Sequence, residues 1–149
     1  MSMAPRDNCI ARLDPFIKLL DMEVEQATPE FARVVLGRDE RRMNMLGAAH
    51  GGAICSLIDA AFGVAANDGQ KTAVVTLSTS IEFLRPGLKW PLAAEARVSR
   101  KGRRILSYDV RVLDAEDSLI AHALVSGYLT DLPLPEKYAQ CREEQTGEE

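Results

Sequence analysis

Apolar residues are most concentrated between Asn44 and Asn67, in the segment NMLGAAHGGAICSLIDAAFGVAAN. At about 100° per residue, the apolar side chains that follow the two glycines cover more than half of a helical cylinder. A helix with this pattern cannot lie on a surface, because it has too little polar face to meet water. The remaining sector holds small residues and one carboxylate: Gly52, Ser56, Asp59 and Gly63. The pattern therefore predicts a buried central helix that ends near Asn67.

The period of the apolar residues changes from about 3.6 to 2 after this helix, which indicates strands. Alternating side chains predict a long strand over 74–84, and Pro86 and Gly87 end it. The chain continues with three strands of a predicted antiparallel meander: Leu92–Arg100, Ile105–Leu113 and Leu119–Thr130. Ahead of the helix, the strands Met22–Gln26 and Phe31–Leu36 are predicted to form a hairpin.

These elements predict an α+β fold, in which a curved antiparallel sheet of about five or six strands wraps around one long central helix. We expect a single domain over residues 15–132, since no linker or internal repeat divides it. Residues 1–14 lack a clear period and are predicted to be poorly ordered, although Asp14 and Pro15 are residue types that begin a short helix. Residues 133–149 are polar and acidic and are predicted to form a frayed tail.

Composition narrows the classes of function. The net charge of −4 over 149 residues provides no field that would attract nucleic acid or an anionic membrane surface. No apolar run approaches the ~18 residues that cross a bilayer. Cys9, Cys55 and Cys141 are odd in number and scattered, which favours reduced thiols and a cytoplasmic location. His50 and His122 lie far apart with no ligand spacing around them, so no metal site is predicted.

Asp59 is the most informative residue, since a carboxylate in apolar surroundings is costly unless it is paired or used. One interpretation is that it only accepts hydrogen bonds from its neighbours. The glycine pair supports another, because Gly51 and Gly52 leave the first N–H groups of the helix, with their positive dipole end, uncovered. Such N–H groups can hold the oxyanion that forms when a carbonyl is attacked. Together with a carboxylate base or nucleophile, they make an acyl-transfer centre.

Helix geometry separates the two parts of this centre. Asp59 follows Gly51 by eight residues, which is roughly 12 Å along the axis at 1.5 Å per residue. It also faces a different side of the helix from His50. One helix therefore cannot bring its own N-terminus and its own carboxylate to one carbonyl carbon, whereas two antiparallel helices from two chains can. The spacing predicts a symmetric homodimer with two shared sites.

The residues at the helix start form a motif, Asn44-x-x-Gly47-x-x-His50-Gly51-Gly52 followed by Asp59. This motif resembles the signature of hotdog-fold acyl-CoA thioesterases of the phenylacetic-acid-degradation (PaaI-like) type. The resemblance continues through Ile81-Glu82-Phe83-Leu84-Arg85-Pro86 and covers residues 15–130. It implies hydrolysis of an acyl-CoA thioester to a carboxylic acid and free CoA, with no metal or redox cofactor.

The resemblance also implies roles for individual residues. Asp59 would activate water or attack the thioester carbonyl, and the Gly51 N–H would polarise that carbonyl. Asn44 would position the attacking water. Some relatives use a Ser or Thr on the strand that follows the helix, and Thr76 matches that position, with Ser78 as the alternative. For His50, we expect a hydrogen bond that orders the loop, with proton transfer as the alternative.

Basic residues at turns are candidates for holding the phosphates of CoA. These candidates are Arg85, Lys101, Arg103 and Arg104. The alternative is that they only line solvated turns. The charged connection Gly37–Arg42 is interpreted in the same two ways, as a solvated loop or as a source of one phosphate-binding arginine among Arg38, Arg41 and Arg42. The expected partners are acyl-CoA and further copies of the chain, in a dimer or a dimer of dimers.

Two other functions fit parts of this pattern. A hotdog hydratase or dehydratase also acts on acyl thioesters, but it requires a histidine that is a competent base. A non-catalytic acyl-CoA-binding module would keep the fold and the pocket without turnover.

Overall fold

The computed structural model describes residues 8–147. Within this range the chain forms four α-helices and six strands. Their order is α1 (Cys9–Leu13), α2 (Pro15–Leu19), β1 (Glu23–Ala27), β2 (Phe31–Leu36), α3 (Gly51–Asn67), β3 (Thr72–Phe83), β4 (Leu92–Lys101), β5 (Ile105–Leu113), β6 (Leu119–Pro133) and α4 (Glu136–Gly147). The predicted central helix is α3, and every predicted strand is present, with bounds shifted by three residues or fewer.

The six strands form one antiparallel sheet in the order β1-β2-β4-β5-β6-β3. Strands β5 and β6 alternate more and less buried residues along most of their length, and β4 is buried over its first half. The buried side chains of these strands pack against α3. β3, at the edge of the sheet, is exposed over most of its length. Phe62 of α3 contacts Tyr108 of β5 edge-on, with 5.3 Å between ring centroids. The predicted α+β architecture, a sheet wrapped around one long helix, is confirmed.

Side-chain hydrogen bonds define both ends of α3. His50 caps its start, since Nδ1 accepts a hydrogen bond from the Gly52 N–H at 2.9 Å. At the other end, Asn67 donates from its amide to the carbonyls of Gly63 and Val74, and it accepts from the Val74 N–H at 2.8 Å. One side chain therefore joins the end of the helix to β3. These contacts fix the position of the C-terminal end of α3 relative to the edge strand β3.

Gly127 of β6 allows α3 to approach the sheet closely. A Cβ atom at this position would lie 2.5 Å from Cζ of Phe62 and 3.0 Å from Cγ1 of Val74. Gly127 pairs with Thr76 of β3, and the register of β3 against β6 shifts just after Thr76. The helix is therefore held tightly against the sheet beside Thr76.

The two ends of the chain differ from the prediction. The short helix with Asp14 as its cap is present as α2, but α1 precedes it within the segment predicted to be poorly ordered, of which residues 1–7 lie outside the described range. Beyond β6, α4 replaces the predicted frayed tail, up to residue 147. Both helices form because they pack on one another through Cys9, Tyr138 and Cys141. Three scattered residues form no period, so the sequence pattern does not reveal this contact.

The prediction of reduced thiols is wrong for two of the three cysteines. Cys9 and Cys141 form a disulfide across 132 residues of sequence, while Cys55 is free and half-buried. Such a distant pairing cannot be deduced from spacing. The cytoplasmic location stays a prediction, without the support of the cysteine pattern. Among the described residues, no helix is both long enough and apolar enough to span a bilayer.

Candidate active site

Asp59 of α3 and Thr76 of β3 form a hydrogen-bonded pair. The Thr76 hydroxyl donates to Oδ1 of Asp59 at 2.8 Å. Both residues are exposed in the single chain, so the expectation of a buried carboxylate is wrong for one chain by itself. The reason is that Ser56 and Gly63, which flank Asp59 on α3, are too small to cover it.

The bulge in β3 decides which hydroxyl reaches Asp59. Strict alternation would place Thr76 and Ser78 on one face of the strand. The register shifts between these two residues, so Thr76 pairs with Gly127 and Ser78 with Ser126. Thr76 follows the buried Val74 by two residues in unbroken register, so it points to α3 and contacts Asp59. The bulge comes after Thr76 and takes Ser78, the second candidate, out of this alternation.

A groove of about 430 Å³ contains Asp59. One side of this groove is the face of α3 that carries Cys55, Ser56, Asp59 and Gly63. Its other side consists of apolar residues of α1 and α2: Ile10, Phe16 and Ile17. The sequence pattern predicted the short helix α2, which carries Phe16 and Ile17. It did not predict α1, because α1 has only one turn of helix and no amphipathic period.

A second cavity, of about 600 Å³, lies at the start of α3. Gly51, Asn44 and Arg85 line it together with Phe83. Oδ1 of Asn44 accepts hydrogen bonds from two N–H groups of its own loop, those of Leu46 and Ala48. This leaves the amide nitrogen of Asn44 as the group that can donate to a ligand.

The Gly51 N–H donates no hydrogen bond to any described residue, whereas the Gly52 N–H is occupied by His50. An N–H at the first position of a helix has no partner within that helix. Gly51 is therefore the free donor that the helix N-terminus presents to this cavity, and the dipole of α3 favours negative charge there. His50 orders this terminus, as expected for its structural role.

The carboxylate and the free N–H lie in separate cavities of one chain. The groove at Asp59 and the cavity at Gly51 share no lining residue. This agrees with the eight-residue separation along α3. A single chain therefore does not bring its Asp59 and its Gly51 to one carbonyl carbon.

The four basic candidates for CoA binding fall into two places. Arg85 lines the cavity at Gly51. Arg103 and Arg104 lie with Lys101 at the turn between β4 and β5. Arg104 donates to the Asp131 carboxylate at 2.9 Å, which raises the pKa of Arg104, and it also donates to the Leu129 carbonyl. Arg104 is thus already paired within the chain.

The other polar residues considered as candidates for phosphate or metal binding make contacts within the chain. Arg42 donates to the carbonyls of Gly37 and Leu20, and Arg41 pairs with Asp39 at 2.7 Å. Nε2 of His122 lies 2.9 Å from Oδ2 of Asp109 on the neighbouring strand. Within residues 8–147, no three His, Cys, Asp or Glu side chains are grouped closely enough to hold a metal ion.

Comparison with known proteins identifies the family. The family sequence model of the thioesterase superfamily matches residues 46–121, a range that includes α3, β3 and the loop just before the helix. The chain belongs to the thioesterase superfamily. A putative esterase of Deinococcus radiodurans is 37% identical over 103 residues, which cover 68% of this chain and 69% of that relative. The acyl-coenzyme A thioesterase PaaI of Escherichia coli is 31% identical over 109 residues, or 72% and 77% of the two chains.

Solved structures of other proteins share the architecture. The structure of Escherichia coli PaaI superposes with a TM-score of 0.78 at 26% identity and covers 85% of this chain and 91% of that chain. A Streptococcus mutans protein, solved with bound acetyl-CoA, superposes with a TM-score of 0.69 at 25% identity, over 76% and 91% of the two chains. The expected hotdog fold is confirmed.

Proposed function

We propose that this thioesterase-superfamily protein is an acyl-CoA thioesterase, which hydrolyses an acyl-CoA thioester to a carboxylic acid and free CoA. The observation that carries the proposal is the hydrogen-bonded pair of Thr76 on β3 and Asp59 on α3, with 2.8 Å between the hydroxyl oxygen and Oδ1. The free Gly51 N–H at the start of the same helix supplies the second part of an acyl-transfer centre. The name of the PaaI relative as an acyl-coenzyme A thioesterase points to the same reaction.

In the proposed reaction, Asp59 acts on the thioester carbonyl in one of two ways. As a general base, it takes a proton from water while the water oxygen bonds to the carbonyl carbon. As a nucleophile, it attacks that carbon itself and forms an anhydride, which water then hydrolyses. In both routes the Gly51 N–H donates to the carbonyl oxygen as it becomes negative, and the C–S bond breaks to release the thiolate of CoA.

The donor and the carboxylate of one site come from two chains in this proposal. Two α3 helices side by side and antiparallel would place Asp59 of each chain near Gly51 of the other. The edge strand β3 supports an interface here, because it exposes Val75, Leu77 and Phe83 at 43–55% along an unpaired edge. A further pairing into a dimer of dimers stays a prediction.

Arg85 is the basic residue that best fits CoA in this arrangement. It lines the same cavity as Gly51 and Asn44, so a phosphate held there would be near the thioester. We assign Lys101 and Arg103 a secondary contribution from the turn between β4 and β5. Arg104 is set aside because its guanidinium already pairs with Asp131.

The test is thiol release from a panel of acyl-CoA substrates by the wild type and by Asp59→Asn. We expect the substitution to lower kcat by about 10²–10⁴-fold, because the side chain no longer accepts a proton or attacks carbon. Circular dichroism and thermal melting should show that the variant is folded. An active Asp59→Asn enzyme would contradict the proposal.

The same panel separates the alternatives. A hydratase would add water to an enoyl-CoA without releasing thiol, and a binding module would bind acyl-CoA without turnover. The hydratase is disfavoured because Nδ1 of its histidine candidate, His50, caps α3.

A further inference from the structure

The groove that contains Asp59 continues along α3 beyond the carboxylate. Gly63 lies one turn after Asp59 on the same side of the helix, and Asn67 lies one turn further, so this length of groove is ~12 Å. The facing wall consists of apolar side chains from α1 and α2: Ile10, Phe16 and Ile17. The volume of about 430 Å³ lies within the range of pockets that take small organic ligands.

The polar side chains along this groove, other than Asp59, are used by the protein itself. Ser56 donates to the Gly52 carbonyl at 2.7 Å. The Asn67 amide bonds to backbone groups of α3 and β3. Oδ1 of Asp14 accepts hydrogen bonds from the first N–H groups of α2. Beyond Asp59, the groove therefore offers a ligand mainly apolar contacts.

Gly63 leaves the middle of the groove open. Apart from the neighbouring residues and backbone of α3 itself, a Cβ atom at Gly63 would have no atom within 4 Å. The residue has no positive φ, and glycine destabilises a helix interior. Backbone conformation and helix stability therefore do not explain why residue 63 is a glycine. The open space that it leaves beside Asp59 explains it.

We infer that this groove receives the acyl group of the substrate, that the group is an apolar chain of medium length, and that Gly63 determines the length accepted. The inference rests on the proposed thioesterase activity. An acyl chain whose thioester carbon is at Asp59 extends past Gly63 between α3 and the wall formed by α1 and α2. The chain end is then covered by Phe16 and Ile17.

Filling the groove at Gly63 tests the inference. We expect Gly63→Leu to lower the ratio of kcat/KM for decanoyl-CoA to that for acetyl-CoA by about tenfold or more, because the leucine occupies the space of the longer chain. Gly63→Ala should change the ratio less, in the same direction. Gly147→Leu is the matched control, since Gly147 also has open space around it but lies at the end of α4. Equal ratios in the Gly63→Leu and Gly147→Leu enzymes would overturn the inference.

A thiol placed at the far end of the groove provides a readout that does not depend on turnover. Phe16 lines the groove and is half-exposed. Cys55→Ser removes the free thiol, since the other two cysteines of the chain are paired with each other. In Phe16→Cys/Cys55→Ser, we expect decanoate, but not acetate, to slow the alkylation of the introduced thiol by iodoacetamide, measured by mass spectrometry of the intact protein. Adding Gly63→Leu should remove this effect, and alkylation that decanoate does not slow would overturn the inference.

A substitution on the facing wall of the groove tests the inference without changing α3. Phe16 is half-exposed on α2, and Phe16→Ala should raise KM for decanoyl-CoA more than KM for acetyl-CoA. An equal change in both KM values would count against the groove. If the wild type releases thiol from no acyl-CoA, the proposed function fails, and the alkylation experiment still decides whether the groove binds an apolar chain.

Discussion

Thr76 donates to one oxygen of Asp59, and this is the only side-chain hydrogen bond that the described part of the chain makes to this carboxylate. A hydrogen bond to a charged group contributes about 1.5–3 kcal/mol. It also restrains the side chain of Asp59, which lines the groove. We therefore assign Thr76 to positioning Asp59.

Removing the Thr76 hydroxyl should slow the reaction without weakening substrate binding. We expect Thr76→Val to lower kcat by about ten- to a hundredfold, with KM changed little. Thr76→Ser keeps a hydroxyl and should retain most of kcat, which makes it the matched control. Steady-state kinetics on one acyl-CoA substrate gives both constants. If the Val and Ser variants have the same kcat, Thr76 does not position Asp59.

The negative charge of Asp68 lowers the stability of the folded protein. Burial raises the pKa of its carboxyl group, and Arg142 at 3.3 Å offsets only part of this. Asp68 also follows the last residue of α3, where the helix dipole disfavours a negative charge. Because the pKa is raised on folding, the stabilising contribution of this group is full at low pH and is lost as the pH rises through the folded-state value.

Asp68→Asn should therefore raise the free energy of unfolding at pH 7, by about 0.3–1 kcal/mol. The gain should shrink as the pH falls towards 4, because the wild-type carboxyl then becomes neutral as well. Urea denaturation at several pH values measures both effects. Asp39→Asn is the control, since Arg41 lowers the pKa of Asp39 and the pH dependence of its contribution has the opposite sign. A gain that grows at low pH would contradict the prediction.

The packing of one element on another, α3 on the sheet, depends on Gly127. Phe62 fills the space that a side chain on Gly127 would need. Because Gly127 pairs with Thr76, this close approach is also what brings Asp59 within reach of the threonine hydroxyl. The fold and the site thus share one packing contact.

Gly127→Ala should destabilise the protein by about 1–3 kcal/mol, because the added methyl group overlaps with Phe62. It should also lower kcat, since α3 must move away from Thr76. Gly147→Ala adds the same methyl group in open space and should leave both quantities unchanged. Chemical denaturation and thiol release measure the two effects. A Gly127→Ala protein as stable as the Gly147→Ala protein would show that the contact is not tight.

The elements differ in how well the pattern predicted them. α3 and the strands have long apolar periods, and their bounds were predicted closely. The bulge in β3 was not predicted, since it depends on the pairing with β6 rather than on the composition of β3. The helices α1 and α4 have little apolar periodicity, and they are held by the Cys9–Cys141 disulfide and by Tyr138, which donates to the Asn67 carbonyl.

At the scale of the whole molecule, the proposed site requires two chains. Asp59→Asn removes the carboxylate of a site, and Asn44→Asp removes the amide donor of a site while keeping the oxygen that orders the loop. A mixed dimer of these two inactive variants would contain one site with both groups intact.

Mixing the two variants under conditions of subunit exchange should restore about a quarter of wild-type activity, because half of randomly formed dimers are mixed and each has one intact site of two. Sedimentation equilibrium checks the oligomeric state, and mass spectrometry of tagged chains checks the exchange. Exchange without recovery of activity would place Asp59 and Asn44 of a site in one chain. A monomeric active enzyme would do the same.

The sequence by itself determined the buried central helix, the order and approximate bounds of the strands, and Asp59 and Gly51 as candidates, because periodicity and helix geometry are properties of neighbouring residues. Its resemblance to PaaI-like thioesterases added Asn44 and Thr76. Only the tertiary structure decided that Asp59 is exposed, that Thr76 rather than Ser78 contacts it, and that α1 and α2 close a groove beyond it. These features depend on contacts between residues far apart in the chain, such as Gly127 with Phe62. No local pattern records such contacts, since their energy arises only when the elements pack together.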